Sequence, residues 1–252
     1  MAVGGEVRLV ALEGLPLIRP GDDLGTLIAA ALARAGLALQ DGDVLVLAQK
    51  IVSKAEGRLV RLADVTPSAE AQRLAQEVRK DARLVELILS ESRRIVRARP
   101  HVLIVEHRLG LIMANAGIDQ SNVEDGFALL LPENPDASAE KLRARLAPEG
   151  ARVGVVINDS FGRPWRRGTT GVAIGAAGLP ALVDRRGEAD LYGRPLQVTM
   201  IAFADEIAAS ASLLMGPAAE ARPVVLLRGL GWSAADSPAA ELIRPENEDL
   251  FR

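Results

Sequence analysis

The chain has 252 residues, 49% apolar and 25% charged, with a net charge of −3; this is enough to bury a real core, and it leaves no broad basic field for nucleic acid or anionic lipid. Four Phe, two Trp and one Tyr leave the core to Ala, Val, Leu and Ile and provide no stacking platform for single strands. With no cysteine, disulfides, thiolate catalysis and Cys-ligated zinc are excluded; with no basic start before an apolar stretch and no run of membrane-spanning length, a cytoplasmic protein is expected, without membrane or nucleic-acid partners.

In chain order, residues 7–11 read as a short strand and 13–18 (EGLPLI) as a rigid loop. Asp22 is the expected cap of a helix over 23–35, with Leu24, Leu27, Ile28, Ala31 and Leu32 on one face and Gly36 ending it. Residues 44–48 form a continuous apolar run, short enough for a buried strand, which delivers the chain to a polar loop over 49–57. Thr66-Pro67-Ser68 starts helical sequence to about residue 91, with Pro67 near the first turn and a break near Asp81. Strands follow near 102–106 and 109–114, with a tight hairpin at His107-Arg108; His101 and His107 read as exposed strand-end residues. Then come a polar segment over 115–122, a loop over 131–137 and a helix over 138–146.

Residues 153–157 are another buried-type strand, ending in a polar loop over 158–171. Short strands are predicted near 171–176, 181–184 and 196–199, a helix over 200–215 stopped by Gly216 and Pro217, and a last strand over 224–227. The tail from 233 is polar and expected to be loosely held. Strands outnumber a simple alternating pattern, so the fold class is α+β with mixed or antiparallel sheets and helices, a pattern that also accommodates one subdomain inserted into another.

Three polar loops, 49–57, 115–122 and 158–171, each begin where a buried run ends, and such loops often carry chemistry. Asp159-Ser160 offers a carboxylate and a hydroxyl, hard oxygen ligands suited to Mg²⁺ or Mn²⁺, and equally makes a turn or cap. Asp119 with Asn122 reads the same way, as a ligand or as an Asx-turn. Arg163, Arg166 and Arg167 suit phosphate or carboxylate partners, or a solvated face. Lys54 follows a strand and suits a phosphate or the open surface. Gly168, Gly171 and Gly175 permit close backbone approach. Neither a Walker A loop nor a dinucleotide fingerprint is present. The residues by themselves stop at an acid-plus-arginine site for a metal-bound phosphate ester.

Together EGLPLI (13–18), QKIVSKAEGR (49–58), ANAGIDQSNVEDG (114–126), LLPENPD (130–136), VINDSFGRPWRRGTTGVAIGAAG (156–178), LYGRPL (191–196), DEIAASASLLMG (205–216) and PVVLLRG (223–229) resemble the coenzyme F420-0:γ-glutamyl ligase family. The resemblance implies a body over residues 1–232, followed by a tail over 233–252. It implies an interlocked homodimer of two interleaved subdomains. It further implies GTP-driven addition of L-glutamate to the lactyl carboxylate of F420-0, with γ-linked additions to F420-n. Two Mg²⁺ or Mn²⁺ ions, and K⁺, would assist. By motif, Leu15, Pro16, Leu17, Ile18, Gln49, Lys50, Lys54, Asn122, Met215 and Gly216 would border the nucleotide; Asp119, Asp159 and Ser160 would hold the ions; Arg163, Arg166 and Arg167 would meet the reacting oxyanions. Where relatives often carry Gln after Met-Gly, this chain has Pro217, which offers no side-chain ligand. Another metal-dependent nucleotide transferase and a non-catalytic nucleotide-binding protein stay open as rival readings.

Overall fold

Residues 5–249 are described by the computed structural model. Strand β1 (Arg8–Ala11) leads through an extended loop to helix α1 (Leu24–Arg34). Asp23 caps α1, accepting from the Thr26 N–H at 3.1 Å and its hydroxyl at 2.6 Å. Asp22, the expected cap, instead accepts from the Arg19 N–H at 2.7 Å, in the turn before the helix. Strand β2 (Val44–Ala48) passes directly into helix α2 (Gln49–Ala55), so the polar loop expected there is a helix; Ile51 and Val52 bury its inner face.

Strand β3 (Leu59–Arg61) precedes helices α3 (Ala69–Val78) and α4 (Ala82–Ser90). Ser68 caps α3, so Pro67 lies just outside the helix rather than within its first turn. The chain breaks at Arg79, whose φ is 53°, and Asp81 caps α4 through the Arg83 N–H at 2.8 Å. Then follow β4 (Ser92–Arg99), β5 (Val102–His107), β6 (Ile112–Ala114) and β7 (Phe127–Leu129). Helix α5 (Pro135–Leu146) starts earlier than expected because Asn134 caps it and Pro135 suits the first turn. Strands β8 (Gly154–Arg163) and β9 (Arg166–Ala177) form a long hairpin, replacing the expected loop over 158–171. The order closes with β10 (Val183–Asp184), β11 (Met200–Ile201), helix α6 (Phe203–Met215) and β12 (Val224–Arg228).

The main sheet runs β1-β12-β2-β8-β9, with β2 and β8 parallel and the other pairs antiparallel. Period-two alternation sorts its side chains. Leu45, Leu47, Val155 and Ile157 face Ile28, Leu32 and Leu142 of α1 and α5. Val44, Val46 and Val156 face Ala204, Ile207, Ala208 and Ala211 of α6. The sheet is thus buried on both faces, and truncating a residue such as Leu45 to Ala should cost about 2–5 kcal/mol. A mixed sheet between helices, with further antiparallel pairs, is the α+β class expected.

The open edge of β9 is covered by carboxylates: Asp205 accepts from the Ala173 N–H and Asp136 from the Ala176 N–H, both at 2.8 Å. Asp136 also accepts from the Ala239 N–H at 2.8 Å, and the Ser237 N–H donates to the Leu179 carbonyl at 3.1 Å. The tail, expected to be loose, is therefore docked against the body over this stretch, with Ala239 buried.

A separate hydrophobic cluster lies within residues 62–130, including Leu74, Val85, Ile88, Leu103 and Val105. An ion cluster secures its border. Glu91 meets Arg58 at 2.9 Å, Arg108 at 3.0 Å and His107 at 3.4 Å, and Arg58 also donates to the Leu131 carbonyl at 2.9 Å. Burial pushes the Glu91 pKa up, but hydrogen bonds from His107, Arg108 and Arg58 outweigh it and hold the pKa at about 2. His107 is thus fully buried, not exposed as the strand-end position suggested; its Nδ1 accepts from the Leu109 N–H at 3.0 Å.

Candidate active site

Strands β2 and β8 stay in parallel register as far as Ala48 and Asn158. There β2 turns into α2, and β8 continues beside β9 alone. Asp159 is the first residue past the shared register, at the carboxyl end of two parallel strands, where open sheets commonly bind ligands. Its side chain shares a face with Val155 and Ile157.

Helix α2 places Lys50 and Lys54 four residues apart, on one face. The Lys50 Nζ lies 2.5 Å from Asp119 Oδ2, and Lys54 Nζ donates to the Asn122 carbonyl at 2.6 Å. Asp119 also accepts from the Ser121 N–H at 2.7 Å, so the Asx-turn and the charged contact coexist. Two backbone hydrogen bonds with Leu129, at 3.0 and 2.9 Å, fix the Asp119 backbone. The approach to it is strained: Asn115 and Ala116 both have φ of 53°, and Asn122 has φ of 55°. Such left-handed non-glycine residues concentrate where function fixes the backbone.

The charges are coupled. Burial raises the Asp159 pKa to about 6; Asp119 adds to this, while the Ser160 N–H and Lys50 oppose it. Burial works in the same direction on Asp119, but there the Lys50 ammonium and the Ser121 amide prevail and hold its pKa below the usual carboxylate range. Burial, then the charge of Lys50, lowers Lys54. Asp119, Asp159 and Lys50 therefore share one field, although the two acids are 40 residues apart in the chain (119 and 159).

Other segments close on the same place. Asn158 donates to Ser212 Oγ at 3.1 Å and to the Met215 sulfur at 3.4 Å, tying β8 to the end of α6. Gly216 turns the chain at φ of 70°, and Asn122 donates to the Ala218 carbonyl at 3.0 Å. Arg222 lies 3.6 Å from Glu13, and the Gly21 N–H donates to the Ala55 carbonyl at 2.9 Å. The loop over 13–18 is thus bracketed by α2 and the 216–222 segment. In it Ile18 is buried, Leu15 half-buried, Pro16 exposed and Leu17 90% exposed. Gln49 is buried with its Nε2 unpartnered, Met215 is buried, and Ser160 is exposed beside Asp159.

The arginines stand apart. Arg163 pairs in register with Arg166, at the tip of the β8–β9 hairpin. Pro164 and Trp165 make the turn, with Trp165 at φ of 64°. Arg163 lies four residues beyond Asp159, ~13 Å along the strand. Arg166 and Arg167 are exposed.

Sequence reasoning missed Asn158 and Asn115, whose buried Oδ1 atoms have no partner, and Ser212. A polar residue ending a buried run was the available signal for Asn158. Gly171 does permit a close approach, since a Cβ there would collide with the Ala208 carbonyl, and Gly175 likewise meets the Pro135 carbonyl. Gly168 instead serves a turn, with φ of 87° and open space around it.

A family model described as F420-0:Gamma-glutamyl ligase matches residues 14–229, a span that holds nearly all of these segments. The chain belongs to the F420-0:gamma-glutamyl ligase family. It is 48% identical to the Coenzyme F420:L-glutamate ligase of Methanothermobacter thermautotrophicus, over 98% of this chain and 99% of that protein. Identity is 46% to the protein of the same name in Methanopyrus kandleri, over 98% and 100%, and 46% to that of Archaeoglobus fulgidus, over 98% and 96%. This member of the family is a ligase. No helix among its described residues is long and apolar enough to cross a membrane.

The acids of this ligase suit a divalent cation. A half-buried carboxylate with a raised pKa, in the field of a second carboxylate, gains from a neutralising charge. No group of three or more His, Cys, Asp or Glu able to hold a metal occurs among the described residues. Carboxylate oxygens such as these are hard donors of the kind a divalent cation takes together with phosphate oxygens.

Proposed function

We propose that this protein joins L-glutamate to the lactyl carboxylate of coenzyme F420-0 at the expense of GTP. Further glutamates are added through γ-linkages. The observation that carries the reading is the convergence of Asp119, Asp159, Lys50, Lys54 and Asn122, from three separate segments, in one charged cluster. The names of the relatives support the substrates.

A carboxylate is a poor electrophile at neutral pH. In the proposed sequence, a lactyl carboxylate oxygen attacks the γ-phosphorus of GTP, the bond to the β-phosphate oxygen breaks, and GDP leaves. The glutamate amine then attacks the acyl phosphate carbon; the C–N bond forms, the C–O bond to phosphorus breaks, and phosphate departs as the amine loses a proton. Both steps bring anions together, so the protein's main task is to place positive charge and hold geometry.

Leu15, Pro16, Leu17 and Ile18 would line the guanine nucleotide, with Gln49, Met215 and Gly216 at its border and Asn122 anchoring the 216–222 segment over it. Lys50 and Lys54 would face phosphate oxygens; Lys50 would turn from Asp119 once a cation takes that carboxylate. Asp119, Asp159 and Ser160 would hold two Mg²⁺ or Mn²⁺ ions, with K⁺ assisting. When bound, these ions would offset charge on the triphosphate and polarise its γ-phosphoryl group. Arg163, Arg166 and Arg167 would reach from the hairpin tip towards the anionic parts of the substrates. We further infer a cytoplasmic homodimer of interleaved subdomains, supported by the exposed apolar side chains Leu191, Tyr192 and Val198.

The test follows an oxygen atom. With a heavy-oxygen label in the lactyl carboxylate, one labelled oxygen should appear in the released phosphate for each amide formed. Unlabelled phosphate alongside amide product would refute the acyl phosphate route.

A further inference from the structure

A cavity of about 210 Å³ adjoins the candidate site, between β9 and residues 239–249. Val172 on its wall is the cross-strand partner of Asp159. Phe161, also on the wall, shares the Asp159 face two residues further along β8, ~7 Å away. The cavity thus begins one side chain from the acids of the site.

Of the three substrates in the reading above, L-glutamate is the smallest, and the cavity has room for an amino acid. A second cavity of about 350 Å³ shares Leu111, Ala173, Ala239 and Ile243 with it, so the chemistry of the wall, not its size, makes the choice. The wall combines apolar Leu242 and Ile243 with Asp205 and with Arg244, whose Nη1 donates to the Glu248 carbonyl at 3.5 Å. A carboxylate and a guanidinium on one wall complement the ammonium and carboxylate of an α-amino acid. Asp205 Oδ1 is held by the Ala173 N–H at 2.8 Å, which leaves its second oxygen with lone pairs to spare. Burial raises the Asp205 pKa. Asp249, the other acid on the wall, lies in the field of Arg94.

Resting on the ligase reading, we propose that this cavity is the subsite for the incoming L-glutamate, with Asp205 receiving its ammonium group and Arg244 one carboxylate. The apolar wall packs along its methylenes. Residues 239–249 then form one side of a substrate pocket, not only a cover for the β9 edge.

The experiment is titration calorimetry of L-glutamate into the wild type, Asp205→Asn and Arg244→Gln, each with Mn²⁺ and a non-hydrolysable GTP analogue, read beside the KM for all three substrates. Asn keeps an acceptor for the Ala173 N–H, and Arg244 is exposed, so its variant folds whatever its role. Both variants should weaken glutamate at least tenfold in Kd and KM, with KM for GTP and F420-0 held within threefold. Normal glutamate Kd and KM in both variants, with amide still formed, would overturn the subsite and leave the ligase reading standing. Glutamate binding that depends on both residues, in a wild type that forms no amide, would support the subsite and overturn the ligase reading.

Discussion

Replacing Asp159 by Asn removes a charge that partial burial makes costly. Burial raises its pKa from an ordinary 3.8 to about 6, a difference of about two pH units, or about 3 kcal/mol at 1.36 kcal/mol for each. The folded state holds this proton more tightly than the unfolded chain. Wild-type stability from this group is therefore full below pH 3.8, falls as pH rises through about 6, and is lost above it. Asn carries no charge and keeps an acceptor for the Ser160 N–H. The metal-free variant should thus match the wild type below about pH 4 and exceed it by about 1–3 kcal/mol at pH 8. Urea denaturation in EDTA across this range measures the difference, and ligation assays with Mn²⁺ should show activity nearly abolished. A variant less stable than the wild type at pH 8, or a difference independent of pH, would refute the burial argument; wild-type-like turnover would refute the cation role.

Lys50→Met removes the ammonium beside Asp119; the Asp119 pKa should rise, and kcat/KM should fall at least tenfold, as steady-state kinetics and an Asp119-resolved NMR titration would show. Arg166→Ala and Arg167→Ala should each lower kcat/KM more than about threefold, roughly 0.6 kcal/mol; smaller changes would make them surface residues of the hairpin tip. Glu91→Gln leaves Arg58 and Arg108 without their shared buried carboxylate, and should cost about 3–5 kcal/mol in urea denaturation.

Much of the body is legible in the chain because its strands are fully buried. The run Val44–Ala48 is apolar throughout, and its length matches the strand found; the run over 153–157 marks only the buried first half of β8. The expected break near Asp81 and stop at Gly216 are both found: Asp81 caps α4, and Gly216 ends α6. What stayed hidden lacks a buried face. Strand β4, SRRIVRAR, is exposed along nearly all its length at a sheet edge, so neither apolar alternation nor a continuous apolar run marks it. The β8–β9 hairpin extends past the sheet with glycine and arginine, residues that read as loop until cross-strand pairing holds them. Helix α2 has seven residues, too few for a period to show. Asp119 and Asp159 were legible as candidates; that they share one field with Lys50 depends on tertiary placement.

The central claim is tested most directly by mass spectrometry of F420-0 incubated with the protein, L-glutamate, GTP and Mn²⁺. The account predicts that F420-0 gains a glutamyl residue, with one GDP and one phosphate released for each residue added. Release of pyrophosphate, or F420-0 unchanged in mass while GTP is bound or consumed, would contradict it.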